Sequence, residues 1–180
     1  TRNFAFDSMY EVGGKYDDLW GPNTAVPDIT RMETKMWIYY LSVMYINIGV
    51  EAIHFGQVHL TGYNDPLFFH WSEVIERVRA YGHQYARRHW VLCDAHTVGI
   101  VIHGNLLFDF HSSPMFPDEI KDQPQEVELN FYPFRLYPNI YIKSKGGTTP
   151  SGWVCDHLPY LVEIDNYGVS NTPGEYTEEE

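Results

Sequence analysis

The sequence predicts an α/β fold in which a parallel sheet is covered by helices. Two helical segments with periodic apolar residues are each followed by a short apolar run, at 50–55 and 90–96, and this alternation is typical of buried parallel strands. The two runs begin about 40 residues apart, which suits a βαβ unit with the second helix as its crossover. We therefore expect these two strands to pair in parallel.

In the N-terminal third, the sequence predicts a short strand within 3–12, then a loop rich in turn-forming residues and then a helix. Thr30 is a suitable N-cap, and Glu33, three residues later, completes a capping box. Gly49 is expected to end the helix before the strand at 50–55. The apolar residues that recur at helical spacing are Met36, Trp37, Tyr40, Leu41 and Met44.

The second helix is expected at 71–88 and leads into the strand at 90–96. Glu73 and Arg77 are four residues apart, the spacing of an ion pair on one helix face. The residues expected to form the apolar face are Trp71, Val74, Ile75, Val78, Tyr85 and Ala86.

The C-terminal half changes character. A β-hairpin is predicted with His103, Gly104 and Asn105 at its turn and with Leu106 to Phe110 as its second arm. Residues 112–152 contain six prolines and predict a long loop, apart from a short strand at 139–144. A last strand is expected at 160–168, before an acidic tail at 169–180.

These elements are too few to close an eight-stranded barrel. They predict either a small open α/β sheet or a partial (β/α)-barrel-like parallel sheet with covering helices and a β-hairpin insertion. The second alternative makes residues 1–168 a piece of a larger TIM-type barrel. A further stretch of chain or a partner subunit would then complete the barrel and cover the strand edge near Leu161 to Ile164.

The charge and the cysteine content limit the partners. The formal charge is 12 − 24 = −12, which disfavours binding to nucleic acids and to anionic membranes. The apolar runs are too short to span a bilayer. Two cysteines are too few for a disulfide framework and indicate no compartment, although a removed signal peptide would make the protein secreted or periplasmic.

Polar residues cluster where the predicted strands end, which is where parallel α/β folds bind their ligands. Asp94 and His96 are two residues apart, as are Asp109 and His111, so each pair shares one face of an extended chain. The candidate catalytic residues are Glu51, Asp94, Asp109, Glu163 and Asp165. The candidate substrate-binding residues are His54, Gln57, His96, His111, Trp153, Asn166 and Tyr167, with Trp20 as a further aromatic that could stack on a sugar.

Three functions fit these residues. Glycoside hydrolysis needs two carboxylates, one as the acid and one as the nucleophile or base, and it needs no cofactor. Metal-assisted hydrolysis would use the two Asp-x-His pairs to hold zinc or manganese. A non-catalytic carbohydrate-binding or structural domain would keep the aromatic residues without a correctly spaced carboxylate pair. Dinucleotide-binding, Walker and nucleophile-elbow motifs are absent from the sequence.

Four segments carry a resemblance to a known family. They are NIGVEAIHFGQ (47–57), RRHWVLCDAH (87–96), LLFDFHS (106–112) and HLPYLVEIDNYG (157–168). In these segments the chain resembles (β/α)-barrel glycoside hydrolases and their uncharacterised bacterial relatives. The resemblance implies a barrel fold and a carbohydrate substrate. The Asn-Glu pair of many barrel glycosidases does not occur, so the candidate acids rest on their positions at strand ends.

Overall fold

The fold is mixed α/β, with one main sheet that is largely parallel and a second, smaller mixed sheet. The computed structural model describes residues 3–11, 13–19, 21–97, 99–119, 122–123, 126–130 and 144–164. Within these ranges, the side chains at 113–119, 127–130, 160 and 162–164 are not described. In the part of the chain that is described, no helix is long and apolar enough to cross a membrane.

The helices are α1 (Met32–Asn47), α2 (Val58–Thr61) and α3 (Phe69–Tyr85). The strands are β1 (Ala52–His54), β2 (Leu92–His96), β3 (Val101–Ile102), β4 (Asn105–Leu106), β5 (Phe110–Glu119), β6 (Val127–Asn130), β7 (Gly147–Thr148), β8 (Val154–Cys155) and β9 (Tyr160–Ile164).

The main sheet has the parallel order β1-β2-β5-β9, and β6 pairs antiparallel with the second half of β5. The predicted parallel pairing of the strands near 50–55 and 90–96 is confirmed, with α3 between them in the chain. His54 is in register with Asp94, and His96 is in register with Ser112. The described strands do not form a closed barrel.

Helix α3 packs on one face of this sheet. Its buried residues Trp71, Val74, Ile75 and Val78 form one apolar cluster with Ile53 of β1 and with Cys93 and Ala95 of β2. Since successive side chains of a strand point to opposite faces, the neighbouring residues His54, Asp94 and His96 belong to the other face. We call the face that packs against α3 the helix face of the sheet and the opposite face the open face.

The apolar face predicted for α3 is confirmed except at Tyr85, which is exposed. The helix begins at Phe69 and ends at Tyr85 rather than spanning 71–88, so the buried Ala86 lies just beyond its end. The predicted ion pair between Glu73 and Arg77 is present, with 3.1 Å between the carboxylate oxygen and the guanidinium nitrogen. Glu73 also accepts a hydrogen bond of 2.6 Å from Lys35, which ties α3 to α1.

Helix α1 departs from the prediction in its start and in its buried face. It begins at Met32, so the N-cap is Arg31 rather than Thr30, and no side chain caps it. Its buried residues are Glu33, Thr34, Ser42 and Ile46. The residues expected to be buried are exposed or only half-buried, namely Met36, Trp37, Tyr40, Leu41 and Met44. The helix is apolar on most sides, so its sequence periodicity could not select the face that packs.

The predicted hairpin is confirmed, with a shorter second arm than expected. β3 and β4 pair across a two-residue turn at His103 and Gly104, whose φ angles are 50° and 81°. Positive φ at both positions is the twist that a two-residue hairpin requires. The second arm ends at Leu106, and Phe110 instead begins β5 of the main sheet. The hairpin belongs to the small sheet β3-β4-β7-β8.

Two further expectations are wrong. The described part of the segment 3–12, residues 3–11, contains a single turn of 3-10 helix at Phe6–Ser8 in place of a strand. The supposed long loop contains β5 and β6, with Pro114 and Pro117 inside β5. Proline removes a ladder donor and normally argues against a central strand, which is why this strand was missed.

Other expectations fall partly outside the described residues. Of the predicted strand at 139–144, only the last residue is described. The tail at 169–180 lies entirely outside the described residues. β9 confirms the first half of the strand expected at 160–168.

Candidate functional site

Four side chains from three strands meet on the open face of the main sheet. Asp94 Oδ2 lies 2.8 Å from His54 Nδ1 and 2.7 Å from the hydroxyl of Ser112. The same hydroxyl lies 3.1 Å from His54 Nδ1. The ring of His96 is 4.5 Å from that of His54, centre to centre, and is tilted by 53°. We call this group the open-face cluster.

The strand register explains why these residues meet. β1 and β2 pair residue for residue, so that His54 is directly beside Asp94, and the same pairing between β2 and β5 puts Ser112 beside His96. Asp94 and His96 are two residues apart and therefore share a face. Backbone hydrogen bonds from Phe55 to Asp94 and from His96 to Gly56 extend the β1–β2 pairing past the end of β1.

Asp94 orients the imidazole of His54. The carboxylate is buried, and it accepts hydrogen bonds from His54 Nδ1 and from Ser112. Ser112 is itself fully buried, and its hydroxyl donates a hydrogen bond to Asp94 that supports the carboxylate. The side chain of His54 is 37% exposed. Nδ1 of His54 faces Asp94, and Nε2 is the second ring nitrogen that can carry a proton.

Asp109, predicted to be catalytic, lies on the helix face instead. Its carboxylate accepts hydrogen bonds from Arg79 Nη2 at 3.2 Å, from the amide of Cys93 at 2.9 Å and from the amide of Ser151 at 3.0 Å. It is buried, and Arg79 also donates to the carbonyl of Leu107. These contacts tie α3, β2 and the turn between β7 and β8 together. The structure thus gives Asp109 a structural role and separates it from Asp94.

Glu51 also lies apart from the open-face cluster. It precedes β1, at the opposite end of this strand from His54. It pairs with Arg87 at 2.8 Å and with Arg88 at 3.2 Å. The hydrogen bond from Arg87 holds the pKa of Glu51 below its ordinary value. Glu51 and Asp94, both candidate catalytic residues, therefore do not share one site.

His111, the partner of Asp109 in the second Asp-x-His pair, is on the helix face as well. It is beside Ala95 in the register and is fully buried. Burial lowers its pKa to about 4, and the charge of Asp94 opposes that effect only in part. The two Asp-x-His pairs thus lie on opposite faces and do not converge on one ion. Among the described residues, no group of three His, Cys, Asp or Glu side chains is arranged to hold a metal ion.

Glu163 is placed only through its backbone. It is in register with Pro114 of β5, four positions beyond Phe110, the partner of Asp94. Four strand residues span about 13 Å, so the backbone of Glu163 lies well toward the C-terminal ends of the strands. The predicted site residues Asp165, Asn166 and Tyr167, and also Trp20, lie outside the described residues.

Two other predicted binding residues are placed near strand ends. Gln57 is the N-cap residue of α2, just after β1, and accepts backbone hydrogen bonds from Leu60 and Thr61. Trp153 lies in the turn between β7 and β8, where its side chain is exposed. Neither residue makes a hydrogen bond to the open-face cluster within the described part of the chain.

The structure adds two side-chain features near the strand ends that the sequence argument missed. Ser112 lies in the segment LLFDFHS, and its position two residues after Phe110 puts it on the same face as that residue. His59 of α2 contacts the hydroxyl of Thr97 at 3.0 Å, just beyond β2. Burial, together with the charge of Lys145, lowers the pKa of His59 to about 4. No sequence motif predicts the contact between His59 and Thr97.

Comparison with known protein families, with curated proteins and with solved structures finds no match to this chain.

Proposed function

We propose that this chain carries the acid–base half of a hydrolytic active site and that its substrate is a glycoside. The observation that supports the proposal most directly is the 2.8 Å contact between His54 Nδ1 and Asp94 Oδ2 on the open face. A carboxylate that holds Nδ1 keeps one tautomer of the imidazole and stabilises its protonated form. His54 can then donate a proton to a leaving group, or take one from water, through Nε2.

The proposal gives each member of the open-face cluster a role. His54 is the acid–base residue, because it is the most exposed member of the cluster. Asp94 orients it, and Ser112 positions Asp94 through a 2.7 Å hydrogen bond. His96, whose ring lies beside that of His54, is proposed to contact substrate hydroxyl groups. The role of Asp94 thus changes from the acid or nucleophile expected from the sequence to a positioning residue.

The glycoside substrate and the barrel-like architecture are part of the same proposal. Four parallel strands with α3 packed on one face are what a partial (β/α) barrel would contain. The open face would then be its interior, and a further stretch of chain or a partner subunit would complete it. Glycoside hydrolysis also needs a carboxylate that acts as the nucleophile or base, and the proposal assigns that role to Glu163 of β9 or to Asp165.

The test is turnover of a panel of aryl glycosides by the wild-type chain, together with the segment or subunit that completes its sheet, and by matched variants in the same assembly. His54→Gln should lower kcat by about 10²- to 10⁴-fold, the usual contribution of a positioned acid–base group. Asp94→Asn should lower kcat with little change in KM, because Asp94 acts by orienting His54 and not by binding the substrate. Glu51→Gln is the control and should retain full activity, since Glu51 lies at the other end of β1.

Three outcomes would contradict the proposal. A His54→Gln variant as active as the wild type would remove the acid–base assignment. Loss of wild-type activity in EDTA, restored by zinc or manganese, would favour the metal-dependent alternative. A wild-type chain that binds sugars without hydrolysing any of the panel would favour a non-catalytic carbohydrate-binding domain.

A further inference from the structure

Helix α1 leaves a continuous apolar stripe uncovered. The stripe follows every fourth residue, a spacing that places side chains in one row along a helix. Its members are 38–75% exposed. They are Met36, Tyr40, Met44 and Ile48 in the row, with Trp37 beside it. Ile48 directly follows the last residue of the helix. We call these five residues the α1 stripe.

The N-terminal segment extends this apolar surface. The ring of Phe4 lies 6.4 Å from that of Trp37, centre to centre, and Trp37 is stacked against Tyr40 at 6.4 Å. Phe4 is itself exposed, so it enlarges the apolar surface and does not cover it. A large side chain that is half exposed offers about 100 Å². Phe4 and the α1 stripe then offer about 600 Å² per copy, or about 1,200 Å² between two copies, which reaches the lower limit of specific interfaces.

The α1 stripe is uncharged, although the chain has a formal charge of −12. Residues 36–48 contain no Asp, Glu, Lys or Arg. A basic partner would be attracted to the acidic parts of the surface, and the stripe gives it no charge to pair with. Two copies of this chain repel each other through their net charge, and an uncharged surface lets them meet without bringing like charges into contact. The charge distribution therefore favours a second copy over a basic partner.

The residue types of the stripe favour the same occupant. Cores of protein interfaces are rich in Tyr, Trp, Phe and Met and poor in charged residues, and homodimer interfaces are the more apolar ones. Apolar patches of this size are rarely left exposed on monomeric proteins. Phe4 and the α1 stripe consist of three aromatic residues, two methionines and one isoleucine.

We propose that two copies of this chain associate through the α1 stripe, with α1 against α1 across a two-fold axis. Two-fold symmetry lets one patch serve both copies, because each residue contacts the patch to which it belongs on the other copy. The assignment goes beyond the proposed hydrolysis and does not depend on it, since no member of the open-face cluster is part of the stripe.

The first test is sedimentation equilibrium of the whole chain. Interfaces of this size have dissociation constants of micromolar or below, so the mass of a dimer should appear at about 10 μM and above. A chain that stays monomeric up to about 100 μM, far above that range, overturns the proposal.

A charge placed in the stripe tests the location of the interface. Tyr40→Glu sets two negative charges against each other across the two-fold axis and should raise the dissociation constant of the dimer about 100-fold or more. Val154→Glu is the matched control, because it adds the same charge at an exposed residue of β8 and should leave the dimer unchanged. Dimerisation of Tyr40→Glu as tight as that of the wild type would place the interface elsewhere and reject the proposal.

A mixture of two variants tests whether the occupant is a second copy. Tyr40→Lys should also weaken self-association, whereas an equimolar mixture of Tyr40→Lys and Tyr40→Glu should associate about tenfold or more tightly than either variant alone. This rescue also verifies that both variants are folded. A mixture as weakly associated as its components would show that the stripe does not meet its own copy. The proposed hydrolysis is judged separately, since a dimer that hydrolyses no glycoside would uphold this inference and reject only the hydrolysis.

Discussion

His54 and His111 lie on strands of the same sheet but in opposite surroundings. His54 is partly exposed beside Asp94 on the open face, whereas His111 is fully buried on the helix face. Both follow a strand-end pattern that predicted substrate binding. A histidine and an acid two residues apart share a face, but that spacing does not reveal which face it is. Only the first of the two Asp-x-His pairs is therefore in the candidate site.

The buried histidine predicts a pH dependence of stability. The pKa of His111 is lowered to about 4 in the folded chain, against about 6.5 when unfolded. The unfolded chain therefore binds more protons between these values. Above about pH 6.5, His111 is neutral in both states and does not change the free energy of unfolding. As the pH decreases from about 6.5 toward about 4, the free energy of unfolding falls by about 3 kcal/mol in total. Urea denaturation across this range measures the loss.

A matched variant separates this contribution from those of the other ionisable groups. His111→Phe has a similar ring and no titration, so its stability should fall less steeply with decreasing pH than that of the wild type. Equal pH slopes for the two chains would show that His111 does not stay neutral on folding.

Replacing Asp109 should change the stability of the chain strongly and leave its activity unchanged. Asp109→Asn removes the charge opposite Arg79 and turns an amide toward the backbone donors of Cys93 or Ser151. The side chain of Arg79 is only 13% exposed, so leaving it without its charged partner should lower the free energy of unfolding by about 3–5 kcal/mol, measured by urea denaturation. Turnover per folded molecule should stay unchanged, and a specific loss of kcat would return Asp109 to the list of catalytic residues.

At the level of elements, the sequence predicted the helices better than their ends and faces. α3 was recognised because its apolar residues occupy one stripe, and that stripe packs on the sheet. α1 is apolar on most sides, so contacts with α3 and the N-terminal loop select what it buries. β5 was missed because its prolines interrupt the usual strand pattern.

The start of α3 depends on a side chain well before the helix. Asp65 is buried, and one of its oxygens accepts the backbone N–H groups of His70 at 2.9 Å and Trp71 at 3.0 Å. Asp65→Ala should therefore destabilise the chain by about 1 kcal/mol or more, as loss of a helix cap does. Asp65→Asn retains an acceptor and should cost less. The melting temperatures of the two variants give the comparison, and equal losses would contradict a capping role.

For the whole molecule, the formal charge of −12 should influence which substrates reach the site. A chain with this excess of acids repels anionic ligands over a distance set by the Debye length. If the proposed hydrolysis holds, kcat/KM should be higher for an aryl glucoside than for the matching aryl glucuronide at low salt. The ratio should decrease as NaCl is raised to about 0.5 M, where the Debye length is only a few ångströms. A ratio independent of salt would exclude long-range repulsion.

The parallel pairing of β1 and β2 follows from the sequence, because two apolar runs about 40 residues apart enclose an amphipathic helix. The presence of polar groups at the strand ends follows from it too. Which of those polar side chains come together depends on the register of the strands in the packed sheet. Asp94 is in register with Phe110 rather than Asp109, and a shift of one residue moves a side chain to the opposite face. That register, fixed by pairing and by the packing of α3, brings His54 to Asp94 and leaves Asp109 with Arg79.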